Sequence, residues 1–129
     1  LDPLRDVDGD GDPITEILTY AQRKLDLSRD YPRESRLFAN EILQGAPRLA
    51  YTLPTLKSLV DEKAAIIQTW VNDDKIAVID PYHLIFLIWG QTQHYADFDV
   101  QVRAVLGSDD PYPGAAIFLE HTLRRLLAP

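Results

Sequence analysis

The chain has 129 residues, 46% hydrophobic and 26% charged, with 13 Lys and Arg against 20 Asp and Glu for a net charge of −7. That length supports a single domain with a real core, and the composition excludes disorder. The acidic balance repels phosphate backbones, no apolar run nears the roughly 18–20 residues of a membrane span, and the absence of Cys removes disulfide and thiolate-metal chemistry.

Residues 1–13 are expected to be a linker. Leu1-Asp2-Pro3-Leu4-Arg5 leads into acid and not into the apolar run of a signal peptide, so a cytoplasmic location is expected. Asp6-Val7-Asp8-Gly9-Asp10-Gly11-Asp12 superficially matches a calcium loop. It fails because the twelfth position is Ile17, Glu16 is one place short, and Pro13 stands where an apolar residue belongs. A solvated acidic turn fits better.

From Ile14 the period is helical. Ile14, Ile17, Leu18, Ala21, Leu25 and Ser28 share a face, with Arg23, Lys24 and Asp26 outside it. Asp30 is placed to cap a second helix that starts near Pro32, carries Leu37, Phe38, Ile42 and Leu43, and stops at Gly45-Ala46-Pro47. A long third helix is predicted from Thr52, with Pro54 in its first turn and a stripe of Leu56, Leu59, Val60, Lys63, Ile66, Ile67 and Trp70, fraying at Asn72-Asp73-Asp74. Lys75 to Ile79 is a short connector.

The stretch from Asp80 to Phe98 is the most informative. Asp80 is an N-cap, and Pro81 sits at the first helical position, where its missing N–H costs nothing. Six apolar residues follow without a break, Leu84 to Trp89. At about 100° per residue, Phe86, Trp89, Gln93 and Ala96 fall on one side, and Leu84, Leu87, Ile88, Gln91 and Tyr95 on the opposite one. A helix apolar on two opposed faces needs cover from two directions, and in a chain this short the second cover is expected to be another subunit. Val100 to Leu106 forms at most a loose extra turn, and 107–114 is expected to be loop. The last helix, about Ala115 to Leu127, gathers Ala115, Ala116, Leu119, Leu123, Leu126 and Leu127 on one face, leaving Ile117 and Phe118 as a spare apolar patch. Five or six helices with no convincing strand make the class all-α. Spare apolar faces on the last two long helices suit a two-fold four-helix interface. Its expected members are Leu84, Leu87, Ile88, Gln91, Tyr95, Phe118 and Thr122, with His94 nearby.

Several segments carry one resemblance in a single order. Trp89-Gly90-Gln91-Thr92-Gln93-His94-Tyr95-Ala96-Asp97-Phe98 resembles the penultimate helix of TetR-type transcriptional regulators, within the branch that controls pyrimidine utilisation (the Rut branch). Leu27-Ser28-Arg29-Asp30-Tyr31-Pro32, Ser35-Arg36-Leu37-Phe38, Gly45-Ala46-Pro47 and Asp61-Glu62-Lys63 resemble the same branch in order and spacing. The similarity covers roughly Ile14 to Phe98 and fades through Val100 to Pro113. The family's stretch commonly has Ala-Ser where this chain has Gly90-Gln91. The resemblance implies an effector-binding and dimerisation domain over 14–129, a homodimer, and a small neutral effector, uracil or thymine. It also implies operator DNA bound only through a separate N-terminal helix-turn-helix domain, which the absence of an initiator Met leads us to expect upstream of residue 1.

Gln93 is the sharpest candidate. Its carboxamide offers an acceptor and donors side by side, which matches the N–H and C=O edge of a pyrimidine imide. Trp89, one turn earlier, offers a flat surface for stacking. On composition alone the ordinary roles carry more weight: Trp89 in the core, and Gln93 on a backbone carbonyl of a kinked neighbouring helix. The resemblance places the effector beside these two positions. Phe86 is expected to wall the site, and Phe38, Glu41 and Ile42 to close it, with Trp70 assigned to the core. Glu41, if buried, requires Arg36, Arg48 or a ligand N–H as partner, and otherwise makes a surface ion pair. His94 and Asp97 lie three apart on a helix but lack a third metal ligand, so no metal and no other cofactor are expected. No nucleophilic triad or phosphate-binding glycine loop appears, and no enzymatic activity is expected. Two rivals remain: a small helical metal-dependent enzyme using His94, Asp97 and Glu41, and a dimerisation module without an effector. A cavity beside Gln93 would argue against the second.

Overall fold

The computed structural model describes residues 2–107 and 110–129; Leu1, Ser108 and Asp109 lie outside them. Among the described residues there are six α-helices: α1 (Pro13–Asp30), α2 (Pro32–Leu43), α3 (Leu53–Asn72), α4 (Pro81–Asp97), α5 (Asp99–Leu106) and α6 (Tyr112–Leu127). Single 3-10 turns occupy Pro3–Asp6 and Ala50–Thr52, and no strand occurs among the described residues, as expected for an all-α chain. α4 lies at the centre, packed against α1, α2, α3 and α5, while α1 also packs on α2 and α6.

The helix starts follow local chemistry. Asp12 accepts from the Thr15 N–H at 3.0 Å and Asp80 from the His83 N–H at 3.0 Å, each just before a Pro at the first helical position. Asp30 does not cap α2; it accepts from its neighbour Arg29 at 2.8 Å, and α2 begins after Tyr31 with no side-chain cap. α3 does not fray. Its C-terminus closes on a Schellman pair, with the Asp74 N–H on Val71 O and the Lys75 N–H on Trp70 O, and Asp74 in the left-handed region at φ 58°. The same motif ends α2: Gly45, at φ 90°, donates to Ile42 O, and Ala46 to Glu41 O.

The core joins α1, α3, α4 and α6 through Ile17, Leu25, Ile67, Trp70, Ile85 and Leu123, among others. The N-terminal stretch expected to be a linker is part of it. Leu4 and Val7 are buried, Lys63 Nζ donates to Val7 O at 2.7 Å, and Trp70 Nε1 donates to Gly9 O at 3.4 Å. The buried Lys63 ammonium thus has a carbonyl partner, as its burial requires. The acidic turn is ordered by its own amides: Glu16 accepts from the Asp8 N–H at 2.6 Å and Asp8 from the Asp10 N–H at 2.9 Å. The loose turn expected after α4 is a two-turn helix, α5, ending on Gly107 at φ 63°. α6 begins at Tyr112, so Tyr112, Pro113 and Gly114 are helical and not loop; Ser108 and Asp109 of that expected loop lie outside the described residues.

Two packing expectations are overturned. Leu84 and Ile88 are each 1% exposed and belong to this chain's own core, so they present nothing to a second subunit. The unbroken run from Leu84 to Trp89 allows two phases for the buried stripe. The fold selects Leu84, Ile85, Ile88, Thr92 and Ala96. The apolar residues expected to line α2 stay exposed: among the described residues none fully covers Leu37, Phe38, Ile42 and Leu43.

Candidate functional site: the seam between α4 and α2

Trp89 and Gln93 stand one turn apart on α4, and both are half-buried. Each is tethered to a different helix. The indole Nε1 of Trp89 donates to the Tyr20 hydroxyl on α1 at 2.7 Å, which fixes the ring's rotation. The Gln93 Nε2 donates to the backbone carbonyl of Ser35 in the first turn of α2 at 2.9 Å, and to Asp97 Oδ1 at 3.2 Å. Tyr20 is buried, and burial chiefly pushes its hydroxyl well above the usual tyrosine range, with the negative charge of Asp2 adding to the shift. Beneath the pair, Ser28 Oγ donates to Thr92 O at 2.8 Å, a buried polar bond between α1 and α4, and Thr92 Oγ1 donates to Ile88 O at 2.8 Å within α4. Arg36 donates to Ala96 O at 3.2 Å, a second polar tie from α2 to the end of α4.

Phe86 is 47% exposed, and its ring leans on Trp89 at 5.5 Å between centroids and a 49° tilt. Phe38 and Ile42 remain exposed on α2, on the turns after Ser35. Glu41 is not in a buried ion pair, nor in a surface one: its Oε2 accepts the backbone N–H groups of Arg48 at 2.6 Å and Leu49 at 3.2 Å, clamping the loop after α2. Trp70 is in the core, as expected. His94 is exposed and lies against Phe98, with 5.0 Å between ring centroids, while Asp97 is engaged with Gln93. Among the described residues no group of three or more His, Asp or Glu is arranged to hold a metal.

Of the residues expected at a subunit interface, Gln91 and Phe118 are exposed, and Leu87, Tyr95 and Thr122 are half-buried. The exposed face of α4 instead includes His83, Gly90, Gln91 and His94. A Cβ at Gly90 would meet nothing within 4 Å, so the Gly90-Gln91 departure lies on this outer face. Tyr20 and Ser35 were not anticipated, and Arg36, weighed as a partner for Glu41, bonds Ala96 O. Tyr20 falls three residues after Ile17 on the buried side of α1, a spacing that marks the position but not the hydrogen bond. The larger of the two described clefts, about 350 Å³, is an open groove between α1 and α6 that includes Thr19, Gln22 and Glu120. Neither cleft includes Trp89 or Gln93.

The family described as "YcdC-like protein, C-terminal region", a TetR-type C-terminal domain, matches residues 1–127. The chain belongs to this family. Because the match begins at residue 1, it includes the packed N-terminal stretch as well as the six helices. The chain is 54% identical over 109 residues to the HTH-type transcriptional regulator RutR of Escherichia coli O157:H7. It is 53% identical over 109 residues to the proteins of that name from Escherichia coli K12 and Shigella flexneri. Each alignment covers 84% of this chain and 51% of the relative, so the chain spans about half the length of the curated relatives it matches. These relatives are named as transcriptional regulators and not as enzymes, which places the domain near the Rut branch of TetR-type regulators. No helix among the described residues is long and apolar enough to cross a membrane.

Proposed function

We propose that this domain senses a small neutral pyrimidine, uracil or thymine, at the α4–α2 seam of a dimeric DNA-binding regulator of pyrimidine-utilisation genes. The observation that carries this reading is the tethering of Trp89 and Gln93 to two different helices, α1 and α2, on consecutive turns of α4. A ligand stacked on Trp89 and bonded to Gln93 therefore acts on both neighbours of the central helix. The resemblance to proteins named RutR supports the choice of ligand.

The mechanism is a shift between populations. Effector at this seam favours one placement of α2 and α4, and the paired DNA-binding domains follow through the dimer. A coupling of roughly 1–3 kcal/mol changes operator affinity about 5- to 150-fold. The second subunit is proposed to cover the outer face of α4, with Leu87, Gly90, Gln91 and His94, and the exposed Ile117, Phe118 and His121 of α6. A monomer at micromolar concentration in equilibrium sedimentation would argue against this. With a charge of −7, the domain alone is expected to retain no duplex DNA at physiological salt.

Calorimetry with uracil and thymine tests the effector. Binding by the wild type, weakened by Gln93→Leu, supports the site. No binding by the wild type removes the ligand from the proposal, and equal binding by the variant removes the site. A dimerisation module without an effector is the second reading, favoured by the engagement of the Gln93 amide with a backbone carbonyl and by clefts that lie elsewhere.

A further inference from the structure

Gln93 is flanked by two groups that can only accept hydrogen bonds. One is the backbone carbonyl of Ser35, at 2.9 Å, and the other is the carboxylate of Asp97, at 3.2 Å. An amide oxygen facing either would be repelled, so the NH2 group must face them, and this chemistry fixes the amide's orientation. Both Nε2 hydrogens are then committed. What Gln93 has left is Oε1, which carries no donor from the described residues. A carboxamide with an uncommitted N–H could read a ligand N–H and an adjacent C=O together; with both hydrogens taken it reads only the N–H.

We infer that Asp97 is a positioning residue that fixes Gln93 as a one-way acceptor, so that the site selects a ligand N–H at this position and discriminates against a ligand carbonyl. The inference rests on the effector reading proposed above and narrows it: the two-point contact expected from an amide and an imide becomes a single N–H···O contact. The spacing supplies the reason Asp97 can do this. It lies four residues after Gln93 on the same helix, where side chains are neighbours, and its half-buried carboxylate holds the second hydrogen that Ser35 does not. The two bonds also divide the labour, since Ser35 reports the position of α2 and Asp97 is part of α4 itself.

The test is calorimetry of the 129-residue chain with uracil, 6-methyluracil and 1,3-dimethyluracil. The first two keep both ring N–H groups, and 6-methyluracil adds bulk without removing either. Wild type should bind uracil and 6-methyluracil comparably and lose roughly 5- to 150-fold toward 1,3-dimethyluracil, the cost of leaving a site acceptor unpaired. In Asp97→Ala the amide keeps only its Ser35 bond and can swing about it, so uracil should lose affinity while 1,3-dimethyluracil, which makes no use of Oε1, should not, and the gap between them should narrow; Asp97→Asn, which keeps an acceptor oxygen, should restore it. Three results would overturn the inference and leave the effector reading standing: equal wild-type affinity for uracil and 1,3-dimethyluracil, equal losses with 6-methyluracil and 1,3-dimethyluracil, or a fall for all three ligands alike in Asp97→Ala. If wild type binds no pyrimidine, the effector reading itself fails and takes this inference with it. Should Asp97→Ala not fold, Asp97→Leu, which removes the acceptor and fills the space, takes its place in the same series.

Discussion

α2 and α4 are neighbours held by opposite means. α4 buries Leu84, Ile85, Ile88 and Ala96, so it is fixed by packing. α2 buries no residue fully; it rests on α1 and α4 and is tied by Gln93 on Ser35 O, Arg36 on Ala96 O, and the clamp that Glu41 makes on the loop beyond it. Packing is collective and distributed over many contacts, whereas a few polar bonds can be exchanged one at a time. A sensing domain built this way has a rigid platform and an adjustable wall, and the candidate site lies where they meet.

The sharpest way to break the comparison is to cut equivalent volume from each helix. Leu84→Ala should destabilise by about 2–5 kcal/mol, since it opens a cavity in the core, while Leu37→Ala on α2 should stay within about 0.5 kcal/mol. Urea unfolding of both variants checks this, and similar losses would mean that the Leu37 face of α2 is packed after all. Next in size is Tyr20→Phe, which keeps the ring but leaves the Trp89 indole N–H without its acceptor, at a cost of about 1–3 kcal/mol.

The same substitution carries a pH signature. Burial holds the Tyr20 hydroxyl pKa above the unfolded value of about 10. The unfolded state therefore loses its proton first, so stability is intact below about pH 10 and drains as pH rises from there through the folded pKa. Tyr20→Phe should lose that part of the alkaline limb in thermal melts across pH, and an unchanged limb would show that Tyr20 does not produce it.

Gln93→Leu should cost about 1 kcal/mol, because the Ser35 carbonyl loses its side-chain donor. The loss should appear as faster amide exchange in α2 with α4 unaffected. The smallest effect expected is at Asp61, exposed on α3, whose carboxyl is held below its usual value by hydrogen bonds from Lys57 and then from Tyr82 at the start of α4. A depressed pKa contributes stability above the ordinary carboxylate value that is lost as pH falls through the folded one. Asp61→Asn should flatten the acid limb slightly, and a large change would mean that the α3–α4 seam depends on this polar contact more than on packing.

Much of this was legible in the chain. Asp80-Pro81, the helical periods and the Gly45 stop mark their elements because each has a local cause. The Rut-like segments carried the family. What was not legible depended on partners far apart in sequence. Nothing around Leu4 and Val7 signals that α3 reaches back to hold them, and the six-residue apolar run could not say which of its faces turns inward. Glu41 shows the same limit in the site: its partners are backbone amides of a loop, which composition does not reveal. Gln93 was placed on the candidate face, and its bond to a backbone carbonyl of a neighbouring helix matches the ordinary role weighed for it, while the pairing with Asp97 needed the fold.

The most direct measurement is hydrogen exchange of the chain with and without saturating uracil. Protection should rise in α2 and the loop after it, residues 32–49, and around Trp89 and Gln93, with the core of α1 and α3 unchanged. Protection centred on the α1–α6 groove, or none anywhere, would contradict an effector site at the α4–α2 seam.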